Sequence, residues 1–237
     1  MKIVTIAMLC VLPAYVSQSA EIVVQQVRGD VLVRSGAAEE WTTAKTGAIL
    51  KPKDTMRTGR KGSAVLVIRS ESDPGATRKI SVPPEVILDL SDVRDLSQEE
   101  LMMKLTMEKV RSSSYEWKRN DLQIPNATVV HGDKPASSHP VTAAELEQAT
   151  LQMNGTRVLF KHKFYSTCAL KAVSIMNRFP SLGNAFEDRI MVAESLERSN
   201  LYGEALSEYM AIAASTTLTQ KQQSLVQLKI DRLKKEG

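Results

Sequence analysis

Cysteine is almost missing from this chain of 237 residues, which has two, Cys10 and Cys168. Histidine is nearly as scarce, with His131, His139 and His162, and aromatic residues make up 5% of the chain. So few cysteines exclude a disulfide framework and a cysteine-rich zinc site. No His-Glu-x-x-His and no Gly-x-Ser-x-Gly occurs, so two readable hydrolase signatures are absent. The shortage of aromatics leaves core packing to Leu, Val, Ile, Ala and Met. A dominant charge is lacking too: 31 Lys and Arg stand against 27 Asp and Glu, for a net +4. The denser basic groups, 51–61 and 229–235, hold no interleaved aromatics to stack bases, so they read as solvated faces and no nucleic-acid partner is expected.

Long apolar runs are also lacking, apart from one at the start. Lys2 precedes an apolar stretch over 3–12, then Pro13 and small or polar residues to Ala20. That order is the pattern of a secretory signal peptide over residues 1–20, with cleavage best placed after Ser19. The run is short of the ~20 apolar residues that a membrane span needs. Leu9 before Cys10 argues against a lipoprotein. Removal of the leader takes Cys10 with it and leaves Cys168 unable to form an internal disulfide. The mature chain is expected in the periplasm, without an integral membrane span.

From Glu21 onward the apolar residues come as short β-type runs. Ile22 to Val24 and Val31 to Val33 flank Gly29 and predict a bent strand or a tight turn. The tripeptide Arg28-Gly29-Asp30 matches a cell-adhesion motif, but its place between strands reads as a turn. Trp41 opens another short strand and is expected to cover one edge of a small core. Residues 47–68 hold two apolar runs around a polar centre, with a hairpin turn expected over 59–62. Its Gly-Arg-Lys-Gly-Ser run lacks the spacing of a phosphate loop. A wide turn is expected over 71–76. Strands over 79–82 and 86–90 close the region, with Pro83-Pro84 at an edge.

Five pieces of this region carry a resemblance. They are Gly29-Asp30-Val31-Leu32-Val33, Trp41, Gly47-Ala48-Ile49-Leu50, Asp54-Thr55-Met56-Arg57-Thr58-Gly59 and Ser63-Ala64-Val65-Leu66-Val67. Together they resemble a FecR-type domain over roughly residues 21–90, and the block 54–59 is the most specific. The resemblance implies a small all-β exported domain of the bacterial envelope. In its best-known setting such a domain passes a receptor's signal to a sigma factor through a membrane-spanning segment.

Beyond residue 90 the periodicity becomes helical. Ser97-Gln98-Glu99-Glu100 reads as a capping box that opens a helix over 98–112, with its methionines taken as core. Tyr115 and Trp117 read as packing residues, with sugar stacking as the alternative. Residues 122–124 and 127–130 read as further strands, and 132–141, rich in Gly, Pro and Ser, as a linker. Thr142 with Glu145 starts a helical region. One helix is expected over 158–178, ended by Phe179-Pro180. Two more over 187–199 and 202–215 resemble a single tetratricopeptide-type hairpin, with Val192, Ala193 and Leu196 facing Ala205 and Tyr209. A last helix over 218–233 caps it.

The expected fold class is therefore α+β: a small all-β FecR-like domain over 21–131 with one amphipathic helix, then a helical tetratricopeptide-like domain over 142–237. No catalytic, cofactor-binding or metal-ligating residue is assigned. Cys168 and His162 lie about 240° apart around a shared helix axis, so they do not pair locally. Cys168 reads as a small buried residue, and Asp30 and Asp54 as turn formers. The expected role is non-catalytic binding or scaffolding in the cell envelope through a protein partner. Tyr202, Tyr209 and Trp117 are the candidate partner-binding residues. Two alternatives stand beside it: a peptidoglycan or polysaccharide binder stacking on Trp41 or Trp117, and a periplasmic signalling component.

Overall fold

The computed structural model describes residues 21–36, 38, 40–69, 77–117, 141–215 and 218–236. The leader, the turn over 71–76, the strands over 122–130, the linker residues up to 140, and His131 and His139 lie outside the described residues. Among the described residues the chain forms eight strands, then six α-helices, and is of mixed α+β class. The strands are β1 (Glu21–Arg28), β2 (Val31–Ser35), β3 (Thr42–Thr43), β4 (Ile49–Leu50), β5 (Asp54–Thr58), β6 (Ser63–Arg69), β7 (Thr77–Val82) and β8 (Val86–Asp89). They pair antiparallel in two four-stranded sheets, ordered β4-β1-β6-β7 and β3-β2-β5-β8.

Alternation builds the shared core. Ile22 and Val24 of β1, Val31 and Val33 of β2, Ala64 and Leu66 of β6, and Ile80 and Val82 of β7 are buried at every second position. β8 departs from alternation, because Val86, Ile87 and Leu88 are all buried. A strand covered on both faces reads as a continuous apolar run.

The hairpin expected over 59–62 is a corner instead, and so is the bend at Gly29. β1 and β2 belong to different sheets, as do β5 and β6, so each turn carries the chain from one sheet to the other. The corners pack backbone on backbone, with the Gly59 N–H donating to the Asp30 carbonyl at 2.8 Å. Gly29 adopts a left-handed φ of +61°, and a Cβ there would lie 2.3 Å from the Lys61 carbonyl oxygen. A Cβ on Gly62 would meet the Asp30 oxygen at 1.9 Å, so only glycine fits this crossing. Asp54 is buried and holds the neighbouring bend, accepting from the Lys51 N–H at 2.9 Å and the Ser35 hydroxyl at 2.8 Å.

The helices are α1 (Gln98–Trp117), α2 (Ala143–Lys161), α3 (Tyr165–Arg178), α4 (Phe186–Arg198), α5 (Tyr202–Ala213) and α6 (Gln220–Glu236). α1 runs past residue 112, the end expected from sequence. Thr142 and Glu145 form the expected capping box at the start of α2. The single helix expected over 158–178 is two, α2 and α3. The break comes at Lys163, whose φ of +65° is left-handed, and the Phe164 N–H returns to the Leu159 carbonyl at 2.9 Å. Lysine at that position is no helix breaker by composition, which is why periodicity ran through it.

The same turn recurs between α4 and α5. Asn200 has a φ of +60° and the Leu201 N–H returns to the Leu196 carbonyl at 3.0 Å. Phe164 and Leu201, next after the left-handed residue, are both buried. Lys163-Phe164-Tyr165 and Asn200-Leu201-Tyr202 are thus equivalent, and burial repeats at the same offset. Thr156 matches Ala193, Leu159 matches Leu196, Cys168 matches Ala205, Ala172 matches Tyr209 and Ile175 matches Ile212, all buried. Two helix hairpins in tandem replace the single expected one. Each helix from α2 to α6 packs on the next, and α1 packs on α3. α2 also lies on β8, so the helical layer and the sheets are continuous in one buried cluster.

Candidate functional site

α1 is held on α3 by a narrow strip. Leu101 is buried and Leu105 packs against the core, one turn apart on the same side of the helix. Met103 and Met107, also four residues apart, point elsewhere and are 58% and 56% exposed; Met102 and Val110 are exposed as well. The methionines expected in the core are therefore on the surface. Among the described residues the helix that packs on α1 is α3, and Leu101 and Leu105 take up that contact.

Between α1 and α3 runs an open cleft of about 230 Å³, lined among others by Asp92, Lys104, Met107, Glu108, Thr167 and Lys171. Its floor is charged. Lys171 of α3 places its Nζ 2.5 Å from Asp89 Oδ2 and 3.3 Å from Asp92 Oδ2. Asp89 ends β8 and also accepts from the Thr55 hydroxyl at 2.8 Å, so this cluster ties both sheet and following turn to α3. Burial pushes the Asp89 carboxyl up, but the Lys171 ammonium, its hydrogen bond and that from Thr55 outweigh it and hold Asp89 below the usual value. For Asp92 burial wins: together with the charge of Asp89 it raises the carboxyl despite Lys171. Burial works against the Lys171 ammonium, yet the two carboxylates raise it overall. On the rim, Lys104 pairs with Glu100 at 3.1 Å and Arg111 with Glu108 at 2.6 Å. An apolar strip with adaptable thioethers, edged by paired charges, suits a protein surface better than a small anion.

The residues singled out from the sequence are scattered. Tyr202 stands at the start of α5, half exposed, with its hydroxyl donating to Asn200 Oδ1 at 3.0 Å. Tyr209 is fully buried and donates to Glu197 Oε2 at 3.1 Å, so it packs the α4–α5 hairpin and presents nothing to a partner. Burial and the nearby Glu197 push its phenol far up. Trp117 closes α1, and its side chain lies outside the described residues. Trp41 is half-buried, with the Arg34 guanidinium 4.9 Å from its ring centroid, so one face of the indole is already occupied.

Cys168 and His162 have separate surroundings. Cys168 is buried, and desolvation pushes its thiol up to about 12; the Ser195 side chain and Phe160 backbone offset only part of this. His162 caps the end of α2, where its Nε2 accepts from the Ser81 N–H at 3.1 Å and its carbonyl accepts from Arg78. Among the described residues no group of three His, Cys, Asp or Glu side chains is placed to hold a metal ion. No helix among them is long and apolar enough to cross a membrane. Comparison with protein-family models, curated proteins and solved structures finds no match.

The exposed methionines and the tandem of hairpins are what sequence reasoning missed. A signal for the hairpins was present in the apolar-aromatic pairs Phe164-Tyr165 and Leu201-Tyr202, each preceding a helix. No comparable signal marked Met103 and Met107 as exposed, because nothing in the sequence says which neighbours α1 acquires.

Proposed function

We propose that this protein is an exported, non-catalytic binding or scaffolding component of the bacterial cell envelope, which contacts a protein partner through its helical layer. The leader-like start and the FecR-type resemblance supply the compartment. The observation that carries the binding reading is the exposed methionine strip of α1, Met103 and Met107, beside the α1–α3 cleft. Folded proteins seldom leave such side chains together on a helix face without a use, and unbranched thioethers adapt to varied partners. The β-sheets and the Lys171 cluster act as the rigid support of that strip. A cell-wall polysaccharide reading is weaker, since Trp41 already carries Arg34 on its ring.

Capture from envelope fractions by the immobilised full chain tests this reading. The doubly substituted Met103→Ser, Met107→Ser protein is expected to lose the captured partner while keeping its thermal melting profile. Equal capture by both proteins contradicts it. Sedimentation of the full chain with purified peptidoglycan separates the alternative: the protein stays in the supernatant on our reading.

A further inference from the structure

We infer that Arg34 and Arg57, with Lys53 beside them, form a binding site for a phosphate group on the outer face of the second sheet. The inference goes beyond the α1 strip and rests on a different surface. Val31 and Val33 of β2 and Met56 of β5 point into the core. Alternation therefore turns Leu32, Arg34, Thr55 and Arg57 to the opposite face. Arg34 stands opposite Thr55 and Leu32 opposite Arg57, which makes the two arginines diagonal neighbours. Their Cα atoms are then about 7–8 Å apart, close enough for two long side chains to meet on one group. Lys53 comes alongside where β2 ends: its Cδ lies 3.5 Å from the place of a Cβ on Gly36.

The fold gives the other side chains of the block 54–59 a structural use. Asp54 holds its bend, Thr55 donates to Asp89, and Met56 is core. The Thr58 hydroxyl donates to the Pro83 carbonyl at 2.7 Å and accepts from the Val86 N–H at 3.0 Å. Arg57 is half-buried, yet among the described residues its side chain makes no hydrogen bond and no ion pair. Arg34 lies against Trp41, and its Nε is buried without a hydrogen-bond partner. Buried donors are normally satisfied, and two adjacent guanidinium groups repel, so the pair lacks an anion. Other arginines of this fold have theirs, as Arg94 has Glu100 and Arg189 has Glu208. On this face Asp89 is taken up by Lys171 and Thr55, and Asp30 at the corner makes no ion pair with either arginine.

Charge and shape select the ligand. Two planar forks and an ammonium suit a phosphate, which carries close to two negative charges and three acceptor oxygens near neutral pH. A carboxylate brings one charge and fits a single fork. The indole under Arg34 limits how far that guanidinium can turn, so less order is lost when an oxyanion arrives. Residues 51–61 read from sequence as a solvated basic face, because the β2–β5 pairing that brings Arg34 and Trp41 to Arg57 is not local. The face is an open sheet surface, equally accessible to the phosphate of a soluble ester and to that of a lipid headgroup.

Titration calorimetry of the full chain with inorganic phosphate, and with acetate as the carboxylate control, tests the inference beside flotation with phosphatidylglycerol and phosphatidylcholine vesicles. Phosphate is expected to bind more tightly than acetate. Arg34→Gln, Arg57→Gln is expected to lower the affinity at least about tenfold with the melting profile kept. Should the change at Arg34 loosen the packing of Trp41, Arg57→Gln alone must still show the loss, since Arg57 has no structural partner to forfeit. Lys221→Gln, Lys235→Gln removes as much charge from exposed positions of α6 and must bind as the wild type does. Binding of phosphate itself assigns the site to a soluble ester. Binding of phosphatidylglycerol vesicles alone, lost in the arginine variants, assigns it to a headgroup. No binding of phosphate or of either vesicle, acetate as tight as phosphate, unaffected arginine variants, or an equal loss in the α6 variant overturns the inference. The Met103→Ser, Met107→Ser protein must keep the binding, which holds this site distinct from the α1 strip.

Discussion

Gly155 of α2 rests on the backbone of Ile87 in β8 so closely that a Cβ would lie 2.2 Å from the Ile87 carbonyl oxygen. The contact sets how near the helical layer approaches the sheets. In an isolated helix Gly→Ala is stabilising by about 1 kcal/mol. Here the sign reverses, because the methyl group pushes α2 off β8 and opens the packing around Met153 and Leu159. Gly155→Ala is expected to destabilise the fold by ~1–3 kcal/mol, read as a lower urea midpoint. An increase in midpoint would show that α2 and β8 are not in this contact.

The second link across the helices is the pair Arg157–Asp188. Arg157 donates from Nε to Asp188 Oδ1 at 2.8 Å and from Nη2 to Oδ2 at 2.7 Å, joining α2 to α4. Asp188 is buried, so removing the guanidinium leaves a carboxylate without its forked donor. Arg157→Ala is expected to cost about 2 kcal/mol, and Arg157→Lys to recover only part of it, since an ammonium cannot reproduce the fork. Chemical denaturation of the two variants checks both statements.

His162 gives the joint between α2 and β7 a pH dependence. Burial, with the neighbouring cations Lys161 and Arg78, holds its imidazole below the usual value. The native protein therefore binds fewer protons than the unfolded chain just below the ordinary imidazole value of ~6.5. Its contribution is fully present above that value and is lost as pH falls through the lowered native one. Protonation also removes the acceptor that Nε2 offers to the Ser81 N–H. The stability gap between wild type and His162→Gln is expected to be wider at pH 7.5 than at pH 5. A gap that does not change with pH contradicts this role.

Much of the β region was legible because its signals are local. Alternating Val, Ile and Leu marked the strands, and Gly, Pro and Asp marked the bends. The sheet partners of those strands were not legible: a turn at Gly29 or at 59–62 looks alike whether it returns to the same sheet or crosses to the other. Contacts between residues far apart in sequence decide it, among them Gly62 and Gly59 against Asp30. The helix ends with polar caps were readable at Thr142 and Ser97. The break at Lys163 was not, since lysine is a good helix former and the turn is imposed by the burial of Phe164. Tyr209 faces α4 as its spacing suggested, but it is buried there so completely that nothing of it is left for the partner contact also expected of it.

Cys168 lends itself to a simple check on burial. Its raised thiol and its place in the core predict that native protein carrying Cys10→Ser reacts with an aromatic disulfide reagent far more slowly than unfolded protein at pH 8. Rapid labelling without unfolding would place Cys168 on an accessible surface.

The most direct test of the binding role is photo-crosslinking in cells that produce the full chain, with a benzoylphenylalanine at Met107 and, as a control, at exposed Glu147 on α2. The account predicts a discrete protein adduct from Met107 that Glu147 does not give. No protein adduct from Met107, or the same adducts from both positions, would contradict it.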